Sequence, residues 1–331
     1  MKTHIKKISL TLAALLIIGA LAGCSQNDSI DIISPEDVVS PTPEGIIIEM
    51  AQEMIPLTAS PASSISAPSA PGTSSKKNAK AEIDYSNTKD GYIMVKFLQS
   101  TSKQLRVIVK GPSETQYTYT LKTNGEYEVY PLSDGNGSYT ATVYEQIEGT
   151  KYSTANSASF SVTLNDEFAP FLRPNQYVNY KSDSKTVAKA AELINGATTL
   201  TGKISAIYNF VISNLTYDRD LAATVKSGYL PDVDAVLAKG KGICFDYAAV
   251  MASMLRSQGI PTKLVVGYAG QAYHAWINVY SAETGWINSA IYFDGKQWKL
   301  MDPTFASTAN QSASVMQYIG DGSNYTTKYL Y

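Results

Sequence analysis

Reactive side chains are scarce in this chain. Its 331 residues hold two cysteines and two histidines. Two cysteines exclude a disulfide-rich scaffold and a multi-cysteine zinc site. Two histidines leave little for a histidine-ligated metal, so no metal or cofactor is expected. Charged residues are only 17% of the total and the net charge is -2, which excludes the basic excess of a nucleic-acid binder. What the chain has instead is tyrosine, 23 in all, and a 44% hydrophobic content. At ~100–200 residues per domain, the length suggests about two domains, each large enough for a buried core.

The first residues read as an address. Lys2, Lys6 and Lys7 form a basic start, and Ile8 to Leu21 is an apolar run too short to span a bilayer. Leu21-Ala22-Gly23-Cys24 follows and resembles the lipobox of bacterial lipoprotein signal peptides. That resemblance implies cleavage after residue 23, lipid attachment at Cys24 and an extracytoplasmic, membrane-anchored location. Cleavage removes three lysines and no acid, so the net charge moves from -2 to -5. It also removes His4, leaving His274 as the sole histidine and Cys244 as the sole thiol not committed to lipid.

Residues 24–80 are rich in Pro, Ser and Ala, and seven of the 14 prolines fall there. Such a segment buries too little apolar surface to offset chain entropy, and an extended tether is expected. One apolar patch, Ile46 to Ile55, interrupts it. Residues 81–165 then alternate between apolar and polar positions. Tyr92–Phe97, Leu105–Val109, Tyr117–Leu121, Tyr127–Tyr130, Ser138–Tyr144 and Ser159–Leu164 read as strands. Asn124-Gly125 between two of them predicts a hairpin. About seven strands in that span predict an immunoglobulin-like sandwich, with a spacer or ligand-binding role.

From residue 166 the period becomes helical. Ser184 predicts an N-cap for a helix through Val187, Ala190, Ala191 and Ile194. Ile204, Ile207, Tyr208, Val211, Ile212 and Leu215 fall on one helix face. A short helix around Val233–Ala238 ends at Gly240. Gly240-Lys241-Gly242-Ile243-Cys244-Phe245-Asp246-Tyr247 then leads into a helix running to Gln258, with Gly259 as its stop and Pro261 beyond. Cys244 falls in the first turn, where free N–H groups and the helix dipole suit an anionic sulfur. On the helix alone, a buried inert cysteine accounts for the residue equally well.

Two strands follow, Lys263–Tyr268 and Gln271–Tyr280, the second placing His274, Trp276 and Asn278 on one side. A third, Gln297–Met301, leads into Asp302-Pro303. A cysteine nucleophile needs a base for its proton, and the base needs a carboxylate to fix its tautomer. Cys244, His274 and Asp302 supply those three groups in chain order.

Gly242-Ile243-Cys244-Phe245-Asp246-Tyr247-Ala248, Gly259-Ile260-Pro261, Val266-Gly267-Tyr268, His274-Ala275-Trp276 and Met301-Asp302-Pro303-Thr304 together resemble the core of the bacterial transglutaminase-like superfamily. The resemblance covers roughly residues 170–310. It implies an α+β, papain-like domain over 166–331, with the cysteine helix packed on an antiparallel sheet. It also implies Cys244 as nucleophile, His274 as general base and acid, and Asp302 as its orienting partner. The implied chemistry is attack on a protein or peptide amide, giving a thioester that passes to an amine or to water. An oxyanion donor is required, and the Cys244 N–H is one candidate. Tyr217 loosely matches the place where animal transglutaminases have a tryptophan donor, and a core tyrosine is the other reading of it. Phe245 stands where those enzymes have tryptophan, and their calcium sites find no match. The alternatives are a non-catalytic lipoprotein that uses the domain to recognise cell wall or protein, or one that adheres through its sandwich.

Overall fold

The computed structural model describes residues 67–282, together with 285–287, 292–293, 298–299, 304, 307 and 324–331. Cys24, Asp302 and the apolar patch at 46–55 lie outside them. Eight strands come first: β1 (Ser75–Lys77), β2 (Ala81–Asp84), β3 (Tyr92–Phe97), β4 (Leu105–Lys110), β5 (Gln116–Thr120), β6 (Glu128–Pro131), β7 (Gly137–Glu148) and β8 (Lys151–Val162). They form two antiparallel sheets, ordered β1-β2-β3-β6 and β5-β4-β7-β8. Alternate side chains such as Val107, Val109, Tyr119, Ala141 and Val143 are buried between them.

Two expectations are corrected here. Strand β1 lies inside the stretch read as tether, and its chain is already tied down upstream, where the Gly72 N–H donates to Asp84 Oδ2 at 2.6 Å. The predicted hairpin at Asn124-Gly125 does not form. Gly125 does make a turn, at φ 76°. But β5 pairs with β4 while β6 pairs with β3, so the connection crosses from one sheet to the other. The turn signal is local, whereas the pairing is decided by burial of Tyr119 and Tyr130 in the interior between the sheets, rings 4.9 Å apart.

The remainder mixes helix and sheet. The helices are α1 (Lys185–Leu193), α2 (Leu200–Asn214), α3 (Arg219–Thr224), α4 (Val233–Lys239) and α5 (Cys244–Ser257). Two short strands, β9 (Thr216–Tyr217) and β10 (Lys241–Gly242), pair in parallel just before α5. Strands β11 (Thr262–Ala269), β12 (Ala272–Ser281) and β13 (Gly285–Ile287) follow, then β14 (Tyr292–Phe293), β15 (Trp298–Lys299) and β16 (Tyr325–Leu330). The sheet beside α5 is antiparallel, ordered β13-β12-β11-β16. Strand β16 was not foreseen. It closes against β11 with a register shift at Gly267, where a Cβ would overlap the Thr326 carbonyl oxygen and approach the Trp276 ring at 2.8 Å. Only glycine fits there.

Helix ends follow their sequence signals with one exception. Gly240 caps α4 at φ 64°, and Gly259 follows α5 at φ 75°. Ser184 occupies the N-cap of α1, but its side chain does not cap. Asp234, from α4, accepts the Lys185 and Thr186 N–H groups at 3.0 and 2.9 Å instead. Among the described residues no helix is long and apolar enough to cross a membrane.

Candidate active site

Helix α5 is buried along its whole length. Cys244 is its first residue and 3% exposed. The residue before it, Ile243, has extended backbone angles and no side-chain acceptor. Asp246, three positions on, supplies the missing acceptor by taking the Ile243 N–H on Oδ2 at 2.9 Å. Its other oxygen accepts the Tyr229 hydroxyl at 2.7 Å. Burial raises the Asp246 carboxyl above the usual carboxylate range, against both hydrogen bonds. Burial likewise raises the Tyr229 hydroxyl, with Asp246 as the next cause. Gly242 makes room for this network, since a Cβ there would lie 2.6 Å from Asp246 Cβ.

The approach to Cys244 is anchored from below. Gly242 pairs with Tyr217, and the Asp218 N–H donates to the Gly242 carbonyl at 2.8 Å. Asp218 accepts the Leu221 N–H at 3.0 Å as the N-cap of α3. It also holds Lys239 at 3.0 Å and Lys241 at 3.1 Å. The Leu221 hydrogen bond first, then the two lysines, lower its carboxyl to about 2. Tyr217, the proposed oxyanion donor, is therefore one ladder step from the residue two positions before Cys244.

At the far end of α5, Arg256 is buried, and no aspartate or glutamate among the described residues pairs with it. It donates to the carbonyls of Thr262 at 2.8 Å and Arg173 at 2.8 Å, and to the Tyr331 main-chain oxygen at 2.5 Å. Burial lowers its guanidinium to about 10. Those bonds fix α5 against β11 and the chain leaving β16.

His274 lies on β12 and is 7% exposed. Its ring is near-parallel to Trp276 at 6.3 Å and tilted against Tyr325 at 6.5 Å. The described lining of the cavity of about 710 Å³ that Cys244 shares with Phe245 includes the strand neighbours Tyr273 and Ala275 but not His274 itself. The chain just past Asp302 is also attached to α5. Thr304 is buried, and Ser307 hydrogen-bonds Tyr247 at 3.1 Å while donating to the Leu215 carbonyl at 3.0 Å.

The sequence did not reveal the opposite wall of that cavity. Thr118, Tyr119 and Thr120 of β5 line it, as does Tyr177. An aromatic cluster holds this wall in place. Tyr331 meets Tyr117 at 5.7 Å, Tyr119 at 5.8 Å and Tyr177 at 4.5 Å, and Tyr177 meets Phe245 at 5.3 Å. The eight-strand region thus reaches the residue after Cys244 through Tyr177, whose ring stacks on Tyr119 at 5.6 Å. The abundance of tyrosine was the available signal, but it does not say which rings meet. Asp246 was visible in the motif too, without its role.

Comparison with known proteins gives four matches. Residues 187–303 match the family model described as the transglutaminase-like superfamily. An uncharacterised protein of Bacillus subtilis (strain 168), YebA, is 25% identical over 195 residues, which is 51% of this chain and 26% of that relative. The chain thus spans about a quarter of the relative's length. Among solved structures, a proposed cysteine protease from Cytophaga hutchinsonii aligns over 78% of this chain and 83% of its own, with 14% identity and a TM-score of 0.38. The periplasmic domain of TgpA from Pseudomonas aeruginosa aligns over 67% of this chain and 94% of its own, with 18% identity and a TM-score of 0.31.

Proposed function

Residues 187–303 are a domain of the transglutaminase-like superfamily, and on that premise we propose that the protein is a thiol enzyme acting on protein or peptide amides. The observation that carries this reading is Cys244 at the first position of a buried helix, opening into a 710 Å³ cavity. His274 takes the Cys244 proton, and Asp302 holds the imidazole in the required tautomer. The sulfur attacks the amide carbon to give a tetrahedral oxyanion. Ammonia or an amine then leaves with the proton returned by His274, and a thioester remains. Water or an acceptor amine cleaves the thioester and restores the thiol. The Cys244 N–H is the primary oxyanion donor, and Tyr217, whose backbone pairs with Gly242, is the candidate for the second. The hydrogen bond between Ser307 and Tyr247 of α5, close after Asp302 in the chain, supports the role given to Asp302.

Around that centre we assign the remaining parts as follows. Residues 1–23 export the chain, Cys24 carries lipid, and the enzyme works outside the membrane to which it is anchored. The eight strands form an immunoglobulin-like module. Two features support this: the sheet order, and Tyr139 near the start of β7, whose hydroxyl donates to the Gly135 carbonyl at 2.9 Å.

Alkylation of the folded protein with iodoacetamide tests the thiol. Modification of Cys244 is expected without denaturant and should slow in His274→Ala. A Cys244 that reacts only after unfolding sinks the reading. Incubation with glutamine peptides and a labelled amine, followed by mass spectrometry, separates amine adducts, deamidation and cleavage. Cys24→Ala should abolish membrane retention if the anchor is as assigned.

A further inference from the structure

The cavity that reaches Cys244 has charges of one sign only. Lys103, Arg106 and Lys122 line it from the eight-strand region, and its described lining residues include no aspartate or glutamate. The whole chain carries a net charge of -2, so this wall is a local reversal. All three cations are exposed. Lys122 is paired with Glu128 at 3.2 Å, which offsets part of its charge. Lys103 donates to the Ile147 carbonyl at 3.1 Å, a neutral partner. Arg106 lies over the Tyr152 ring at 4.4 Å and has no ion-pair partner among the described residues. Stacking of this kind orients a guanidinium while leaving its edge for a carboxylate.

Recognition by strand addition is obstructed at this wall. Strand β5 is a sheet edge, but the Thr118 carbonyl accepts the Tyr177 hydroxyl at 3.4 Å, and the Thr120 carbonyl accepts the Gln176 amide at 2.8 Å. A substrate backbone finds those acceptors taken, which leaves side chains to do the selecting.

We infer that the acyl donor is an acidic polypeptide segment, in which aspartate or glutamate carboxylates near the reacting amide are bound by Arg106 and Lys103. Tyr177 and Tyr329, both half-buried at the cavity, accept the intervening apolar groups. The inference rests on the thiol reading for the identity of the reacting residue, and on the cavity wall alone for the charge of the ligand.

The full chain carrying Cys244→Ser is titrated with two fluorescent glutamine peptides of equal length, one flanked by glutamates and one by serines. The glutamate peptide is expected to bind about tenfold tighter at low salt, with the preference shrinking as salt rises. In the double variant Lys103→Gln, Arg106→Gln the preference falls below about twofold, as expected when a complementary charge pair is lost. The thermal midpoint should stay unchanged, because both residues are exposed. Equal binding of the two peptides, or a preference that survives the double substitution, overturns the inference. Binding of heparin without binding of the glutamate peptide also overturns it, in favour of a polysaccharide. Tight, charge-dependent binding with no Cys244 acylation in the unsubstituted protein removes the enzyme reading and leaves the acidic-peptide site standing.

Discussion

Helices α1 and α5 are neighbours of opposite character. α1 buries only Thr186 and Ala190, whereas every residue of α5 is buried. One face of α1 rests on the core and the rest meets water, so packing on that one face is enough to hold it. α5 is held on all sides and at both ends: Asp246 with Tyr229 at the start, Arg256 at the finish. A helix restrained in that way cannot slide or rotate without breaking several buried bonds. The first residue of such a helix is a good place for a group that must meet its partners to within a fraction of an ångström.

The contrast can be broken most severely at Arg256. Arg256→Ala should cost about 4 kcal/mol, because it removes three charge-assisted hydrogen bonds to carbonyls, two of them buried, and leaves a cavity behind. Urea denaturation followed by tryptophan fluorescence would measure it. Asp246→Ala comes next, at about 2 kcal/mol for an unpaired Ile243 N–H and an unpaired Tyr229 hydroxyl. It should also lower the rate of Cys244 alkylation in the folded protein, which a purely global destabilisation would raise.

Asp218→Ala should cost about 1 kcal/mol as the loss of an N-cap, and its signature is in the pH dependence. The folded-state carboxyl is lowered to about 2 from 3.8. The unfolded chain therefore binds the proton more readily, and this group's contribution is complete above 3.8 and lost as pH falls towards 2. Thermal melts across that window should be steeper in the parent than in the variant. On α1, Lys189→Ala removes an exposed contact with Glu192 at 2.6 Å and a distant one with the Phe210 ring at 5.8 Å. It should shift stability by less than about 0.5 kcal/mol. A larger effect would mean that α1 is not the loosely held partner its burial suggests.

Local signals in the sequence were read well where the structure is decided locally. The boundaries of α5 follow from Cys244 and Gly259, and the apolar face of α2 follows from its spacing. Non-local choices escaped. The alternation in Tyr117–Leu121 and Tyr127–Tyr130 is real, but it does not say that the two strands join different sheets. Tyr325–Leu330 went unread because its partner β11 lies some sixty positions upstream. The cavity wall was hidden for the same reason: it depends on Tyr331 meeting Tyr117 and Tyr119, which are far away in sequence. The three acid–base and nucleophile candidates were chosen by residue chemistry and motif, neither of which depends on such pairings.

The late position of β16 has a consequence for biosynthesis. Strand β11 obtains its outer neighbour from residues 325–330, and Leu264 exchanges hydrogen bonds with Tyr331 in both directions. The main-chain oxygen of Tyr331 also holds Arg256. A nascent chain that has just delivered Cys244 therefore lacks the pieces that lock α5 and complete the cavity. Those pieces arrive only when synthesis has reached residue 331. The thiol helix is made early but clamped late, so chains interrupted in between carry the cysteine without a formed site.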